Sequence, residues 1–527
     1  MWSGIEQMLF KMKRYTKEEY YAHFPMLEHW LLEQEKLLTP KKKHRITIVN
    51  LCENLTLELH EYPIWMRVHL LSFCMKCCEE KKYAEWLIQE ALEANGDELK
   101  EYHKYFLYWQ ITSAVFQNVK LQSKSVERGR AKLYRALYQA FYDAYQVKKY
   151  GRIPVEQRNP ELVFVFTSQF LTLEHGPTKS VCDRAYCLKK YLGKEVAIIN
   201  TALLTPSKGE MPCYRIRRGN YISEYPEKAS FKFQDEEFEY NQCGNDMPDL
   251  STIQAVLKRV AEEKPYCIVS IGDGDLCADL CGNLVPQIAI CTVSSELAIT
   301  ASKIQVIERD LQADDYEILQ ILGVEPENVK KALFTYTFKE QKNHYSRKEL
   351  GLKEDSVVLQ INGWRLTTEL QDDFLQMLEN VLIMEDCTEV IFMGRFEDYK
   401  ERICMYPHLK ERSHYFENHR DSLAVTERCD IYVNPKRKGG GTSAAEALYM
   451  GLPVVTLPYG DVAAVAGQNF HVKDYYEMSE KIRAYCHDKA FYDKMSELAG
   501  KRAAALTDSR THFCELFREI ESQPDFR

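Results

Sequence analysis

The sequence predicts an α/β protein in which two Rossmann-like domains follow an all-helical N-terminal domain. Short apolar runs bounded by turn residues recur from about residue 160 onward, which is typical of parallel strands covered by helices on both faces. Residues 1–150 instead place apolar residues three and four positions apart, the spacing of amphipathic helices. A chain of 527 residues also exceeds what one hydrophobic core organises, so several domains are expected.

The composition is that of an ordinary globular protein, with 45% hydrophobic and 28% charged residues. A net charge of -9 argues against a protein that wraps nucleic acid, so no nucleic-acid partner is expected. Charged residues interrupt the N-terminal segment before it reaches the length of a signal-peptide core, and no window holds the roughly 20 apolar residues that span a bilayer. The 17 cysteines then indicate reduced thiols, and we expect a cytoplasmic protein without an integral membrane segment.

Residues 1–150 form the predicted helical domain. In its clearest segment, residues 132–146, small and aliphatic residues make one helical stripe and aromatic residues make a second beside it, a pattern typical of core packing. Cys74, Cys77 and Cys78 lie in another helical segment. Because no second pair of ligands follows them, we interpret them as buried thiols rather than as a zinc site.

Residues 151–345 form the first predicted Rossmann-like domain, which begins after a stretch punctuated by glycine and proline. We expect the stretch 206–249 to form an inserted hairpin outside the sheet. Asp273 and Asp275 follow one strand and are interpreted as a turn with acceptor contacts. The strand candidates of this domain end at Ser168, Asn200, Gly272 and Cys291.

Residues 346–527 form the second predicted Rossmann-like domain. Its strand candidates are SVVLQING, EVIFMG, CDIYVN and PVVTLP, each separated from the next by a helix-compatible segment. Ligands of open parallel sheets bind at the carboxyl ends of the strands. The cleft between the two domains is therefore the predicted site.

The most specific motif runs from Cys429 to Asp461. A strand is followed by a basic turn, a glycine run and then Thr442 and Ser443, which predict the N-cap of a helix that ends before Gly451. Glycines let backbone amides approach an anion closely, and a helix N-terminus adds partial positive charge. The motif therefore predicts a phosphate site; the residues assigned to it are Lys438, Gly440, Gly441, Thr442 and Ser443.

Two further residues are predicted to contact the same ligand. Glu446 lies one helical turn after Ser443, where a carboxylate suits ribose hydroxyls. Arg365 follows the strand SVVLQING and places a cation at the same edge of the sheet, although a surface arginine on a loop would give the same pattern.

Together these residues resemble the nucleotide-binding part of the GT-B glycosyltransferases, most of all the O-GlcNAc transferases and the bacterial adhesin glycosyltransferases. The resemblance implies a hexosyl- or N-acetylhexosaminyltransferase that uses a nucleotide sugar, UDP-linked in those relatives. Thr442 and Ser443 would donate to the diphosphate, and Glu446 would hold the ribose. GT-B enzymes generally work without a bound divalent cation, so the resemblance implies no metal and no cofactor besides the substrate.

The chain departs from these relatives at two positions. Gly441 stands where the O-GlcNAc transferases often keep a histidine. Lys438 stands eight residues before the helical glutamate, where retaining GT-B enzymes keep another glutamate. Because lysine cannot accept hydrogen bonds from a sugar, this departure favours inversion over retention.

His175 is the candidate general base. Inversion needs a group that takes the acceptor's proton, and histidine titrates in the useful range. His175 lies on a polar loop, residues 167–180, after the first strand of the first α/β domain, where it should face the cleft. The alternative is a histidine that only hydrogen-bonds locally.

The resemblance leaves three functions open. The first is transfer of the sugar to a protein or peptide, with the helical domain binding the acceptor or a partner, as in related protein glycosyltransferases. The second is transfer to a cell-envelope polysaccharide or lipid-linked sugar, for which the small basic cluster Lys189, Lys190 and Lys194 is the only sequence support. The third is a non-catalytic subunit that stabilises a partner glycosyltransferase.

Overall fold

The computed structural model describes residues 7, 9–36, 42–57, 59–204, 206–338, 340–417, 421–523 and 526. Helices precede two mainly parallel sheets, which confirms the predicted fold class. Within the described part of the chain, no helix is both long and apolar enough to cross a membrane.

The described residues of the N-terminal region form helices joined by short turns, because their apolar side chains recur at helical spacing and meet in one core. The predicted cysteine segment is a helix with buried free thiols. The longer helices are α1 (Lys17–Lys36), α2 (Lys42–Leu57), α3 (Ile64–Cys78), α4 (Lys81–Glu93), α5 (Glu101–Gln117) and α6 (Lys124–Ala144).

The first sheet has eight strands in the order β3-β4-β2-β1-β5-β6-β7-β8. All neighbouring strands pair in parallel except β3 and β4. The strands are β1 (Asn159–Thr167), β2 (Glu195–Asn200), β3 (Ser230–Phe233), β4 (Glu236–Gln242), β5 (Pro265–Ile271), β6 (Gln287–Ile290), β7 (Ile304–Ile307) and β8 (Val329–Lys331). Its helices are α7 (Gly176–Leu192), α8 (Leu250–Glu263), α9 (Leu276–Cys281) and α10 (Ala313–Leu322).

The expectation that residues 206–249 lie outside the sheet is wrong for part of that stretch. The hairpin β3–β4 forms as the alternating pattern predicts, but β4 pairs with β2 and extends the sheet by two strands. The edge of a sheet offers unpaired backbone groups, and the hairpin satisfies those of β2.

Strand β1 shows why the first sheet is covered on both faces. Phe164 and Phe166 join the core that continues into the helical region, whereas Val163 and Val165 join a core that includes α7. Side chains alternate along a strand, so one apolar run serves both cores. The helical region is thereby fixed to the first sheet by a continuous hydrophobic core.

The second sheet has five parallel strands in the order β11-β10-β9-β12-β13. The strands are β9 (Val357–Asn362), β10 (Thr388–Met393), β11 (Ser413–Phe416), β12 (Ile431–Val433) and β13 (Val454–Val455). The helices are α11 (Leu366–Glu369), α12 (Asp372–Met384), α13 (Tyr399–Ile403), α14 (Pro407–Arg412), α15 (Ser422–Thr426), α16 (Gly441–Tyr449), α17 (Gly460–Ala466), α18 (Tyr475–His487), α19 (Lys489–Leu506) and α20 (Ser509–Glu521).

The last helix, α20, leaves the second sheet and packs on α7 of the first. Phe513, Phe517 and Ile520 supply its buried face. The end of the chain therefore ties the two sheets together on the side of the molecule that carries α7. The predicted division at residues 150 and 345 stays a prediction.

Candidate active site

The glycine run lies at the carboxyl edge of the second sheet, between β12 and α16. Gly440 is the N-cap of α16 with a φ of 104°, a left-handed conformation that favours glycine. The helix begins at Gly441, so the prediction that Thr442 and Ser443 form the N-cap is wrong: both lie in the first turn. Glycine takes the N-cap because it alone adopts this φ without strain.

Arg437 holds the turn before the glycine run in place. Its fully buried guanidinium donates to the Asn434 side chain at 2.8 Å, the Asn362 carbonyl at 2.7 Å and the Tyr432 hydroxyl at 2.8 Å, and pairs with Glu369 at 3.0 Å. A Cβ on Gly440 would come within 2.7 Å of this guanidinium. Sequence reasoning left Arg437 out of the site, although it fixes the turn.

The two hydroxyl residues of α16 have different surroundings. The Ser443 hydroxyl lies 2.8 Å from the Tyr432 hydroxyl and 2.9 Å from the Gly440 carbonyl, to which it donates. Thr442 is half-buried, and its hydroxyl has no hydrogen-bond partner among the residues that the structure describes. Ser443 therefore stabilises the helix start, whereas the hydroxyl of Thr442 is available to a ligand.

Thr442 faces the N-terminus of α7 across the cleft. A Cβ on Gly176, the first residue of α7, would lie 3.3 Å from the Thr442 hydroxyl oxygen. The helices α7 and α16, of 17 and 9 residues, thus bring their N-terminal ends together. Each end carries unpaired backbone N–H groups and partial positive charge, so the meeting point suits an anion.

His175 is the N-cap of α7, not part of a loop that extends to residue 180. Its Nδ1 lies 3.0 Å from the Thr178 hydroxyl, which is buried in the first helical turn. Burial, with a smaller contribution from Lys179, lowers the pKa of His175 to about 4. The imidazole is therefore neutral near pH 7 and is placed at the anion-binding end of α7.

Glu446 lies in α16, one turn beyond Ser443, as predicted. Its side chain is almost fully buried, and Oε2 accepts a hydrogen bond from the Ser422 hydroxyl at 2.9 Å. This contact fixes the carboxylate against α15, away from the helix N-terminus.

Arg365 lies between the glycine run and the helical region. Its Nε and Nη2 both bond Oε1 of Glu369, at 3.0 Å and 2.9 Å. A Cβ on Gly439 would come within 2.8 Å of Nη2, so the guanidinium lies directly beside the glycine run. One edge of the guanidinium is held by Glu369, and Nη1 has no hydrogen-bond partner in the described part of the chain.

Lys438 points away from the second sheet and joins three parts of the molecule. Its ammonium lies 2.5 Å from Glu296, in a loop of the first sheet, and 3.2 Å from Glu127 of α6. Burial works against the charged form, but the two carboxylates outweigh it and raise the pKa of Lys438. Lys438, which the sequence predicts to contact a phosphate, is therefore positively charged and paired with two carboxylates.

Buried carboxyl groups lie on both sides of the cleft, Asp461 in α17 of the second-sheet unit and Asp273 after β5 of the first sheet. Asp461 accepts hydrogen bonds from the Ser295 backbone at 3.2 Å and hydroxyl at 3.1 Å, and burial raises its pKa to about 7. Burial also raises the pKa of Asp273 to about 6, although Arg130 lies 3.5 Å away. Burial also raises the pKa of Asp275 to about 7, and this residue is the N-cap of α9.

The structure places the predicted residues of the second-sheet unit at the carboxyl edge of that sheet. It places His175, the N-cap of α7 in the first-sheet unit, across the cleft from them. Residues that touch them but were missed include Phe116 and Glu127. Nothing in the sequence links these residues to the glycine run, because they are more than 300 positions away along the chain. Among the described residues, no three His, Cys, Asp or Glu side chains are grouped so that they could hold a metal ion.

Two α/β units whose sheet edges meet at a cleft define the GT-B architecture. An O-GlcNAc transferase of Thermobaculum terrenum, solved as a mutant, matches 96% of this chain over 98% of its own at 13% identity and a TM-score of 0.55. Residues 363–488 match the family model described as Glycosyl transferases group 1. The chain carries a domain of that family and is a glycosyltransferase.

Other solved structures match about two thirds of the chain. Anabaena Alr3699/HepE in complex with UDP-glucose matches 68% of this chain and 100% of its own, at 14% identity and a TM-score of 0.46. WaaG, a glycosyltransferase involved in lipopolysaccharide biosynthesis, matches 69% of this chain and 100% of its own, at 12% identity and a TM-score of 0.43. No curated protein sequence matches the chain.

Proposed function

We propose that the chain transfers a hexose or N-acetylhexosamine from a UDP-linked donor to a protein acceptor, without a metal ion and with inversion. The observation that carries this proposal is the meeting of the α7 and α16 N-termini at Gly176 and Thr442. Two helix N-termini and a nearby arginine supply the positive charge and N–H donors that a diphosphate requires.

The donor would lie along α16. Its diphosphate would bind at Gly440, Gly441 and Thr442, with the guanidinium of Arg365 beside the glycine run and its Nη1 available to donate. Glu446, held by Ser422, would accept hydrogen bonds from the ribose. Fixed N–H dipoles and a guanidinium then stabilise the leaving diphosphate, and this is the task that a divalent cation would otherwise perform.

His175 would accept the acceptor's proton during transfer. It lies at the N-terminus of α7, next to the proposed diphosphate position, and its low pKa keeps the imidazole able to accept a proton at neutral pH. Inversion needs only one displacement, with the acceptor oxygen attacking the sugar carbon while the diphosphate leaves.

The basic cluster at the C-terminal end of α7 is paired with carboxylates, and this favours a protein acceptor over an anionic lipid surface. Lys189 and Lys190 pair with Glu236 and Asp235, and Lys194 lies 3.6 Å from Glu521. A cluster whose charges are already neutralised attracts anionic headgroups weakly. The helical region, in contrast, reaches the cleft through Glu127 and offers a surface on which a polypeptide could lie.

Calorimetric titration with UDP, GDP, ADP and CMP, with and without magnesium, tests the donor site. We expect one nucleotide to bind the wild type equally well in EDTA and to bind Glu446→Ala at least tenfold more weakly. Glu497→Ala, an exposed position on α19, is the control that should bind like the wild type. If no nucleotide binds the wild type, or if binding requires magnesium, the proposed donor chemistry is wrong.

Product analysis tests the transfer itself. The protein is incubated with the selected nucleotide sugar and a cell extract, and glycopeptides are mapped by mass spectrometry. We expect sugar on protein, and an NMR spectrum of the product with the opposite anomeric configuration to the donor. Sugar found only in lipid or polysaccharide would favour the cell-envelope alternative, and nucleotide binding without turnover would favour the non-catalytic subunit.

A further inference from the structure

The last turn of helix α5, in the helical region, touches the candidate donor site. Phe116 lies in this turn, and its ring centroid is 4.7 Å from the guanidinium carbon of Arg365. The same ring lies 3.4 Å from a Cβ placed on Gly439. The aromatic side chain therefore packs against both the arginine and the glycine run.

Phe116 and Glu369 restrain Arg365 in complementary ways. Glu369 binds one edge of the guanidinium through Nε and Nη2. Phe116 contacts the guanidinium as a cation–π partner. A guanidinium held in this way keeps its free donors aimed in one direction, and Nη1 is the nitrogen that the described residues leave without a partner.

A second arginine is bound to the same turn of α5. Arg217 donates from Nη1 to the Ser113 carbonyl at 3.1 Å, and its backbone N–H donates to the Gln110 side chain at 2.8 Å. The C-terminal end of a helix carries partial negative charge, which favours cations there. The turn therefore gathers two arginines from distant parts of the chain.

The charge balance at this turn favours an anion. In the described part of the chain, Arg217 has no carboxylate partner, and Glu369 is shared between Arg365 and the buried Arg437. Burial lowers the pKa of Arg217, and the neighbouring charge of Arg365 lowers it further, which is the sign of two cations held close together. An anionic group bound between them would remove this repulsion.

We infer that the last turn of α5 is part of the donor site, in which Phe116 positions Arg365 and Arg217 is a second cation for the donor's diphosphate. This inference rests on the proposed function and extends it, because it gives the helical region a role in binding the donor. Arg217 would contact a phosphate oxygen directly, whereas Phe116 would act only through Arg365.

Calorimetric titration of the full-length protein with UDP and with uridine tests the role of Arg217. We expect Arg217→Met to weaken UDP binding about 10-fold to 100-fold, the size of one charge-assisted hydrogen bond, and to leave uridine binding unchanged. Arg215→Met is the matched control, since Arg215 lies two positions away but is exposed and pairs with Glu35. Equal UDP affinity in wild type and Arg217→Met, or equal loss for UDP and uridine, overturns the assignment.

A double-mutant cycle tests the role of Phe116. We expect Phe116→Leu to weaken UDP binding about twofold to fivefold, Phe116→Tyr to restore it, and Phe116→Leu to have no effect when Arg365 is already Met. An undiminished effect in the Arg365→Met background would show that Phe116 acts elsewhere. If the wild type binds no nucleotide, the donor site and this inference fail together; if it binds and the variants match it, only the inference fails.

Discussion

The two sides of the cleft are built in different ways. On the second-sheet side, one continuous segment, residues 434–461, supplies the turn, the glycine run, the helix N-terminus and Glu446. On the opposite side, separate segments supply Phe116, Glu127, His175 and Glu296. The glycine-run side of the cleft is thus a local structure, whereas the opposite side exists only when separate parts of the chain pack together.

Replacing Arg437 should disrupt the second-sheet side of the cleft and have the largest effect of the changes considered. Arg437→Met removes a buried guanidinium that bonds Asn434, Asn362 and Tyr432 and leaves part of the Glu369 charge buried without a partner. We expect the free energy of unfolding to fall by about 3–5 kcal/mol and nucleotide binding to be lost.

Chemical denaturation and UDP titration measure both effects of this change. The matched control is the preceding residue: Lys436 is exposed, so Lys436→Met should change stability by less than about 0.5 kcal/mol. Normal nucleotide binding by a folded Arg437→Met variant would contradict the view that this side chain shapes the glycine run.

Replacing His175 should affect the first-sheet side of the cleft. We expect it to lower the rate of sugar transfer without changing donor binding. We expect His175→Ala to lower kcat about 100-fold while the affinity for UDP stays within about twofold. Because burial lowers the pKa of His175 to about 4, the imidazole stays neutral well below pH 6. The wild-type kcat/KM should therefore stay level as the pH falls from 8 to about 5, and decline only as it nears 4.

Initial-rate measurements across this pH range, with wild type and His175→Ala, check both expectations. The role as base is ruled out if His175→Ala turns over at the wild-type rate. An acidic decline near pH 6.5 in the wild type would mean that a different group accepts the proton.

The smallest expected effect is on the pH dependence of stability and concerns Asp461. This residue joins the two sides of the cleft by accepting hydrogen bonds from Ser295. Burial raises its pKa to about 7, while an unfolded aspartate titrates near pH 4. The folded state thus binds the proton more tightly, so the stability from this group is full below about pH 4 and is lost as the pH rises to 7. In Asp461→Asn the amide keeps an oxygen that accepts these hydrogen bonds, but it carries no group that titrates.

We therefore expect Asp461→Asn to gain stability relative to the wild type by about 2–3 kcal/mol between pH 5 and pH 8. Thermal unfolding at the two pH values measures the difference. A stability difference between variant and wild type that does not change with pH would show that Asp461 is ionised at both.

Local sequence patterns were enough to predict the elements whose signals lie within a few residues. Buried parallel strands such as β1 and β5 are continuous apolar runs, and the glycine run followed by α16 is readable because its parts are adjacent in the chain. Arg365 was also placed correctly at the carboxyl end of β9, since that position follows from the strand alone. The N-cap of α16 was misassigned, because the φ of Gly440 depends on how the turn packs around Arg437.

Tertiary structure alone decided which distant residues meet. The pairing of β4 with β2, the return of α20 to α7, and the contacts of Phe116 and Arg217 near the glycine run all join segments that share no sequence pattern. The charge states of Lys438 and His175 likewise depend on burial and on partners from other segments. Periodicity and turn chemistry act over a few residues, whereas desolvation and long-range contacts are set only when the whole chain has packed.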